Sequence, residues 1–221
     1  MKFEDTKVWG FLNAAIGMRL PMSKDYRDAL SKIDSKLFDV VGEKDLALMQ
    51  KLLKEDKLGG GQPNGKFMRM IHVQVAITAP LCWWEEFDTY KVGTTANSTS
   101  TMHKIQSYPI DKTCFEENPL TGMCAVSQNT IDELELTRKM VNCESSADMV
   151  RKSNWYDLIY NLPDSWLQTR MVDLDYATIR NMAIWRRTHK QNCWSGIDNP
   201  DMDNFIKWAR ELPYSKELLF S

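Results

Sequence analysis

Residues 66–87, "KFMRMIHVQVAITAPLCWWEEF", constrain the fold more than any other stretch. Phe67, Ile71, Val73, Val75 and Ile77 fall on one face of a two-residue alternation, and Met68, Met70, His72, Gln74 and Ala76 on the other. The pattern predicts a strand over 66–78 with one core face. The second face is semi-polar and suits a ligand, a helix or another subunit. Pro80 has no backbone N–H and fits the first turn of a helix. "APLCWWEEFDTYK" at 79–91 therefore predicts a helix directly behind the strand.

Other elements follow by period. "KVWGFLNAAIGM" at 7–18 predicts a buried helix ended by Pro21. "EKDLALMQKLLK" at 43–54 predicts an amphipathic helix with Leu46, Met49 and Leu53 on its stripe. "LGGGQPNG" at 58–65 breaks the chain, and Gly65-Lys66-Phe67 is no phosphate-loop ending. Residues 103–128 read as an irregular connection. Helices are expected at 130–141, about 150–161, 176–194 and 203–212, with an extended run at 165–174. No linker and no internal repeat is visible. The order predicts a single α+β (mixed α/β) domain over 1–221.

Composition narrows the function. Lys+Arg number 28 against Asp+Glu 30, a formal net charge of -2, which gives no ground for a nucleic-acid binder. No run reaches the roughly 18 apolar residues of a spanning helix. The acidic N-terminus "MKFEDTKVWG" lacks a signal peptide's apolar core, so a cytoplasmic location without membrane association is expected. Five cysteines without close pairing fit reduced thiols, and no zinc or other metal motif is formed with His72, His103 and His189.

The chemistry on offer is anion and polar recognition. Arg69, Arg170, Arg180, Arg186, Arg187 and Arg210 lie in structured segments, where guanidinium forks either sit in solvent or converge on a phosphate. The tract after the aromatic helix, with Lys91, Gly93, Thr94, Thr95, Asn97, Ser98, Thr99 and Ser100, is rich in hydrogen-bonding groups. It reads either as a surface turn or as a loop delivered to a ligand. Adjacent Trp83 and Trp84 cannot share one narrow helical stripe, so one is expected in the core and the other against a partner.

The order of these pieces resembles the flavin-dependent thymidylate synthase family (ThyX-like). "TYKVGTTANSTSTM" at 89–102 stands where that family carries Arg-His-Arg, two residues, Ser, then a polar run ending Ser-x-Arg. Without a gap, Thr89, Tyr90 and Lys91 take the basic places and Thr94 and Thr99 the serine places. With one inserted residue, Tyr90, Lys91 and Val92 take the basic places, Thr95, Asn97 and Ser100 match the Ser-x-Asn-x-x-Ser positions, and Met102 replaces the last arginine. "DYATIRNMAIWRRTHKQNCW" is similar to the family helix ending Leu-Arg and then Gln-Trp, with Arg187 and Trp194 correctly separated. "FIKWARELP" resembles the last helix, where a substrate-activating arginine sits; Arg210 is the best match to it and Lys207 the second. The likeness touches most of 45–103 and 163–213.

The resemblance implies a central, mostly antiparallel sheet packed by helices. It implies reductive methylation of dUMP to dTMP, with methylenetetrahydrofolate as carbon donor, NADPH as reductant and FAD as cofactor, in a homotetramer with sites between subunits. FAD contact falls to Lys91, Thr94, Asn97 and Ser100, nucleotide contact to Arg180, Arg187 and Arg210, and the catalytic role to Arg210. Three departures stand out. The basic triplet keeps at most one lysine, the family's earlier helix arginine falls near Thr178 with Arg180 as a displaced substitute, and the histidine before the strand falls near Asn64. Each missing charge-assisted contact costs about 1.5–3 kcal/mol. A relative that keeps the fold, binds a nucleotide or partner and does no chemistry is the alternative.

Overall fold

The computed structural model describes residues 1–34, 39–55 and 64–221. Most of the glycine-rich break expected at 58–65 lies outside the described residues. In chain order the regular elements are β1 (Lys2–Trp9), α1 (Phe11–Arg19), α2 (Tyr26–Ser31), α3 (Glu43–Glu55), β2 (His72–Pro80), α4 (Leu81–Phe87), β3 (Thr94–Ser98), α5 (Thr101–Lys104), α6 (Gln128–Val141), α7 (Asp148–Tyr160), β4 (Leu167–Asp175), α8 (Tyr176–Arg186), α9 (Asn192–Ser195), α10 (Phe205–Glu211) and α11 (Ser215–Leu218). The strands form one sheet in the order β1-β2-β4-β3. The fold is α+β with a central antiparallel sheet packed by helices.

By contact density the residues group into two compact units, one of 1–2, 77–89 and 97–170, the other of 3–76, 90–96 and 171–221. In the first unit, Thr78 Oγ1 lies 2.7 Å from Thr169 Oγ1, and Thr99 N donates to Thr169 O. Its core gathers Ile105, Ile110, Phe115, Ile131, Leu134 and Leu158 from α6, α7 and the connection before them. Trp83, Trp84 and Phe87 pack with one another, the two indoles edge to face at 4.8 Å. Both tryptophans are fully buried, 0% and 1% exposed, so neither is left for a partner. The short helix α4 is enclosed on more than one side, and Trp84 Nε1 donates to Gln168 O at 3.0 Å.

In the second unit, Gln74 Nε2 donates to Asp173 Oδ2, and Asp175 N to Gly93 O. The odd-numbered face of β2 is the core face, as the alternation predicts: Ile71, Val73 and Val75 are buried with Val172 and Leu174 of β4. Helices add Phe11, Ala14, Ile179, Met182, Phe205 and Trp208. Buried Tyr176 donates its hydroxyl to Pro213 O at 2.8 Å, and burial drives its pKa sharply up.

Several boundaries differ from the sequence expectation, each for a local reason. The predicted helix over 7–18 is a strand to Trp9 and a helix from Phe11. Gly10 separates them at φ 100, where a Cβ would overlap the Met70 carbonyl. The Asp39 carboxylate takes hydrogen bonds from the amides of Gly10 and Leu12, a long-range cap. Residues 66–70 form a 3-10 helix, and β2 starts at His72. The predicted 79–91 helix is shorter, because Pro80 stays extended as the cap of α4. The 176–194 helix stops at Arg186. On α3 the buried stripe is Asp45, Met49 and Leu53. Asp45 tolerates that place because Arg19 Nε and the Asp34 amide both donate to it. The hydroxyl-rich tract 94–98 is strand β3 at a sheet edge, consistent with its β-branched threonines. The opposite edge, β1, carries Lys2, Glu4, Asp5 and Lys7, with Asp5 in the left-handed region at φ 51.

One ion pair gives the fold an acid dependence. Glu135 accepts from Arg138 Nε and Nη2, each at 2.7 Å, and from Ile110 N at 2.9 Å. The Arg138 hydrogen bonds, then the Ile110 amide, pull its carboxyl from 4.5 down to about 2. A depressed carboxylate stabilises the fold above its unfolded value, and that stabilisation is lost as pH falls towards the folded one. The melting temperature should therefore fall between pH 4.5 and about 2 more steeply in the parent than in Glu135→Gln, measured by circular dichroism.

Candidate functional site

Strand β4 runs into helix α8 without a linker, and the junction organises the second unit's polar residues. Asp175 caps α8, its Oδ1 accepting from Thr178 N at 2.7 Å. The Asp175 amide donates to Gly93 O at 3.1 Å. Thr178 Oγ1 donates to Val92 O at 2.8 Å. Gly93 has φ 76, and a Cβ there would overlap the Asp175 carboxylate. The turn 90–94 is thus fixed on the first turn of α8. Further along the helix, Arg186 Nε donates to the Tyr90 hydroxyl at 3.0 Å, with its guanidinium 5.4 Å from the Tyr90 ring and 4.8 Å from the Trp194 ring.

The sequence-derived candidates are placed as follows. Lys91 is exposed on this turn. Thr94 Oγ1 donates to Tyr90 O at 2.6 Å, which leaves that hydroxyl only acceptor capacity towards a ligand. Arg187 is exposed at the C-cap of α8. Arg180 is buried and donates to Leu218 O at 2.6 Å, Ser221 Oγ at 3.1 Å and Ser221 O at 3.2 Å. Arg210 is exposed on α10, its guanidinium 5.6 Å from the Phe220 ring. The structure therefore brings the segment 218–221 to Arg180 and Arg210, and the turn 90–94 to α8.

In the first unit, Asn97 is exposed on β3. Ser100 caps α5, its oxygen accepting from His103 N at 3.2 Å, so its hydroxyl proton is still available to donate. Arg170 bonds Asp88 at 2.7 Å and lies 4.1 Å over the Trp84 ring. Asn97 and Ser100 thus offer neutral hydrogen-bonding groups in the first unit.

A further group lies on the semi-polar sheet face, where the sequence marks His72 only as a lone histidine. His72 Nδ1 is 3.0 Å from Asp173 Oδ1, and Gln74 Nε2 donates to Asp173 Oδ2 at 2.9 Å. Trp9 stacks on the imidazole at 5.9 Å. The alternation that places His72 and Gln74 together was legible, but their shared carboxylate comes from β4 and depends on strand pairing. Among the described residues no cluster of metal-ligating side chains forms, and no helix is long and apolar enough to cross a membrane.

No protein-family model matches the sequence, and no curated protein does. Solved structures do match in fold. A crystal structure of the flavin-dependent thymidylate synthase ThyX from Helicobacter pylori, complexed with FAD and dUMP, aligns with a TM-score of 0.54 and 12% identity over 100% of this chain and 98% of that one. A second structure of Helicobacter pylori ThyX with FAD and dUMP gives 0.56 and 12% over the same shares. The UMP/dUMP methylase PolB from Streptomyces cacaoi, bound with 5-Br dUMP, gives 0.50 and 13% over 98% and 95%. The chain has the ThyX-like fold along its whole length.

If Gly93 is what seats the turn on α8, Gly93→Ala should destabilise the protein by about 1–3 kcal/mol through left-handed strain and the clash at Asp175. Urea unfolding of both proteins checks this.

Proposed function

We propose that the chain is a flavin-dependent thymidylate synthase-like enzyme that methylates dUMP reductively to dTMP, with methylenetetrahydrofolate and NADPH as co-substrates. The observation that carries this reading is the correspondence of the full chain to a fold whose solved members hold FAD and dUMP. The 90–94 turn and α8, which carry several of the residues in question, also meet within one unit.

Lys91, Asn97 and Ser100 are the residues that would hold FAD, with Thr94 accepting from a ligand N–H or O–H. Bound FAD would supply the hydride that reduces the transferred carbon unit to a methyl group. Arg187 would pair with the nucleotide phosphate, where a planar fork can donate twice. Arg210 is the proposed catalytic group, its charge stabilising negative charge that develops on the pyrimidine. Arg180 contributes indirectly in this reading: it holds 218–221, whose Phe220 ring faces the Arg210 guanidinium. A single functional domain in a cytoplasmic homotetramer, with sites between subunits, belongs to the same proposal.

One observation favours a second reading, a non-catalytic nucleotide-binding relative. Of the three signature basic places only Lys91 is cationic. Thr89 Oγ1 donates to Glu86 O, and the Tyr90 hydroxyl accepts from Arg186.

Titration with FAD, with and without dUMP, separates the two. Under the enzyme reading the protein takes up FAD, and dUMP with methylenetetrahydrofolate oxidises the reduced flavin. Lys91→Ala should weaken FAD binding about 10–100-fold, the loss of one charge-assisted contact. Arg210→Ala should cut turnover more than it cuts FAD affinity. Nucleotide binding without flavin uptake selects the non-catalytic relative, and absence of both overturns the proposal.

A further inference from the structure

The group on the open sheet face of the second unit has a defined hydrogen-bonding polarity. Asp173 is flanked by His72 and Gln74, both from β2. An ionised carboxylate only accepts, so Nδ1 carries the proton of that bond, and in the neutral imidazole the Nε2 lone pair is the acceptor. Gln74 spends one amide N–H on Asp173 Oδ2 and keeps another N–H and its carbonyl oxygen. His72 and Asp173 are 41% and 31% exposed at the side chain, so the outward atoms reach solvent. Apolar surface lies beside them: Trp9 is stacked on the imidazole, and Met171, two residues before Asp173 on the same face of β4, is 47% exposed. The site thus pairs a nitrogen acceptor with an amide that both donates and accepts, beside soft flat surface.

The complement of that pattern is a planar ring with an imide edge, an N–H between two carbonyls. We infer that His72, oriented by Asp173, and Gln74 form a recognition site for the imide edge of a ring, with His72 Nε2 accepting the ring N–H and Gln74 donating to a neighbouring carbonyl. This rests on the nucleotide-and-flavin reading, because both the uracil of dUMP and the isoalloxazine of FAD carry such an edge. Asp173 is a positioning residue here, since it acts through the imidazole.

The test uses the full-length chain and calorimetric titration with four ligands: dUMP, N3-methyl-dUMP, FAD and N3-methyl-FAD. Methylation replaces the imide N–H with a methyl group and leaves both carbonyls in place. For the ligand read at this site the parent should lose about tenfold in affinity on N3-methylation, the worth of one hydrogen bond. His72→Ala should bind the methylated and unmethylated forms alike, and Asp173→Asn should show partial loss of discrimination. Discrimination confined to the dUMP pair assigns the site to the substrate, and confined to the FAD pair, to the cofactor. Parent protein that binds dUMP or FAD but tolerates N3-methylation of both overturns this inference and leaves the function standing. Parent protein that binds neither overturns both. The ligand series needs no variant, so a misfolded His72→Ala protein does not protect the inference.

Discussion

The buried Asp175 at the end of β4 is the interaction on which the second unit depends. Its carboxylate caps α8, its amide holds the carbonyl of Gly93, and the next amide, of Tyr176, donates to Ile71 O at 2.9 Å. A strand, a helix, a turn and the entry of β2 are therefore tied within two consecutive residues. At 4% exposure that carboxylate has little water to fall back on, so each bond is worth more than at the surface. The absence of a side chain at residue 93 is the matching condition in the facing turn. The polar residues of 90–94 inherit their position from this knot.

Much of the fold was legible because it follows from periodicity. The alternation from Ile71 to Ile77 places the core face of β2 correctly, the amphipathic spacing of 43–54 locates α3, and the helix expected at 130–141 is found as α6. Elements set by distant partners were not legible. The strand before Gly10 reads locally as helix, and what ends it is contact with Met70 and a carboxylate from residue 39. Trp83 and Trp84 look mutually exclusive on a helical wheel, yet both are buried, since burial depends on how many neighbours surround the helix. The hydroxyl tract reads as a turn by composition, and strand pairing turns it into β3.

The candidate residues were legible in the sequence by type, but their hydrogen-bond partners were not. Sequence spacing treats Arg180 and Arg187 as equivalents seven residues apart, but one is buried under the segment 218–221 and the other is exposed at a helix end. Arg170 is likewise spoken for by Asp88 and Trp84. Charge counting cannot see this, because the partners come from segments 38 or more residues away. The fold match, by contrast, extends over the whole chain at 12% identity. The same architecture is compatible with widely different sequences.

The charged border strand β1 has a bearing on handling the protein. An outer strand with straight backbone and apolar side chains invites a neighbouring molecule to continue the ladder, the route to fibrous precipitation. Here Asp5 bends the backbone out of register at φ 51, and Lys2, Glu4 and Lys7 surround it with ions of both signs. Such an edge disfavours edge-to-edge sheet growth on that side, at the expense of four residues that add little to the interior.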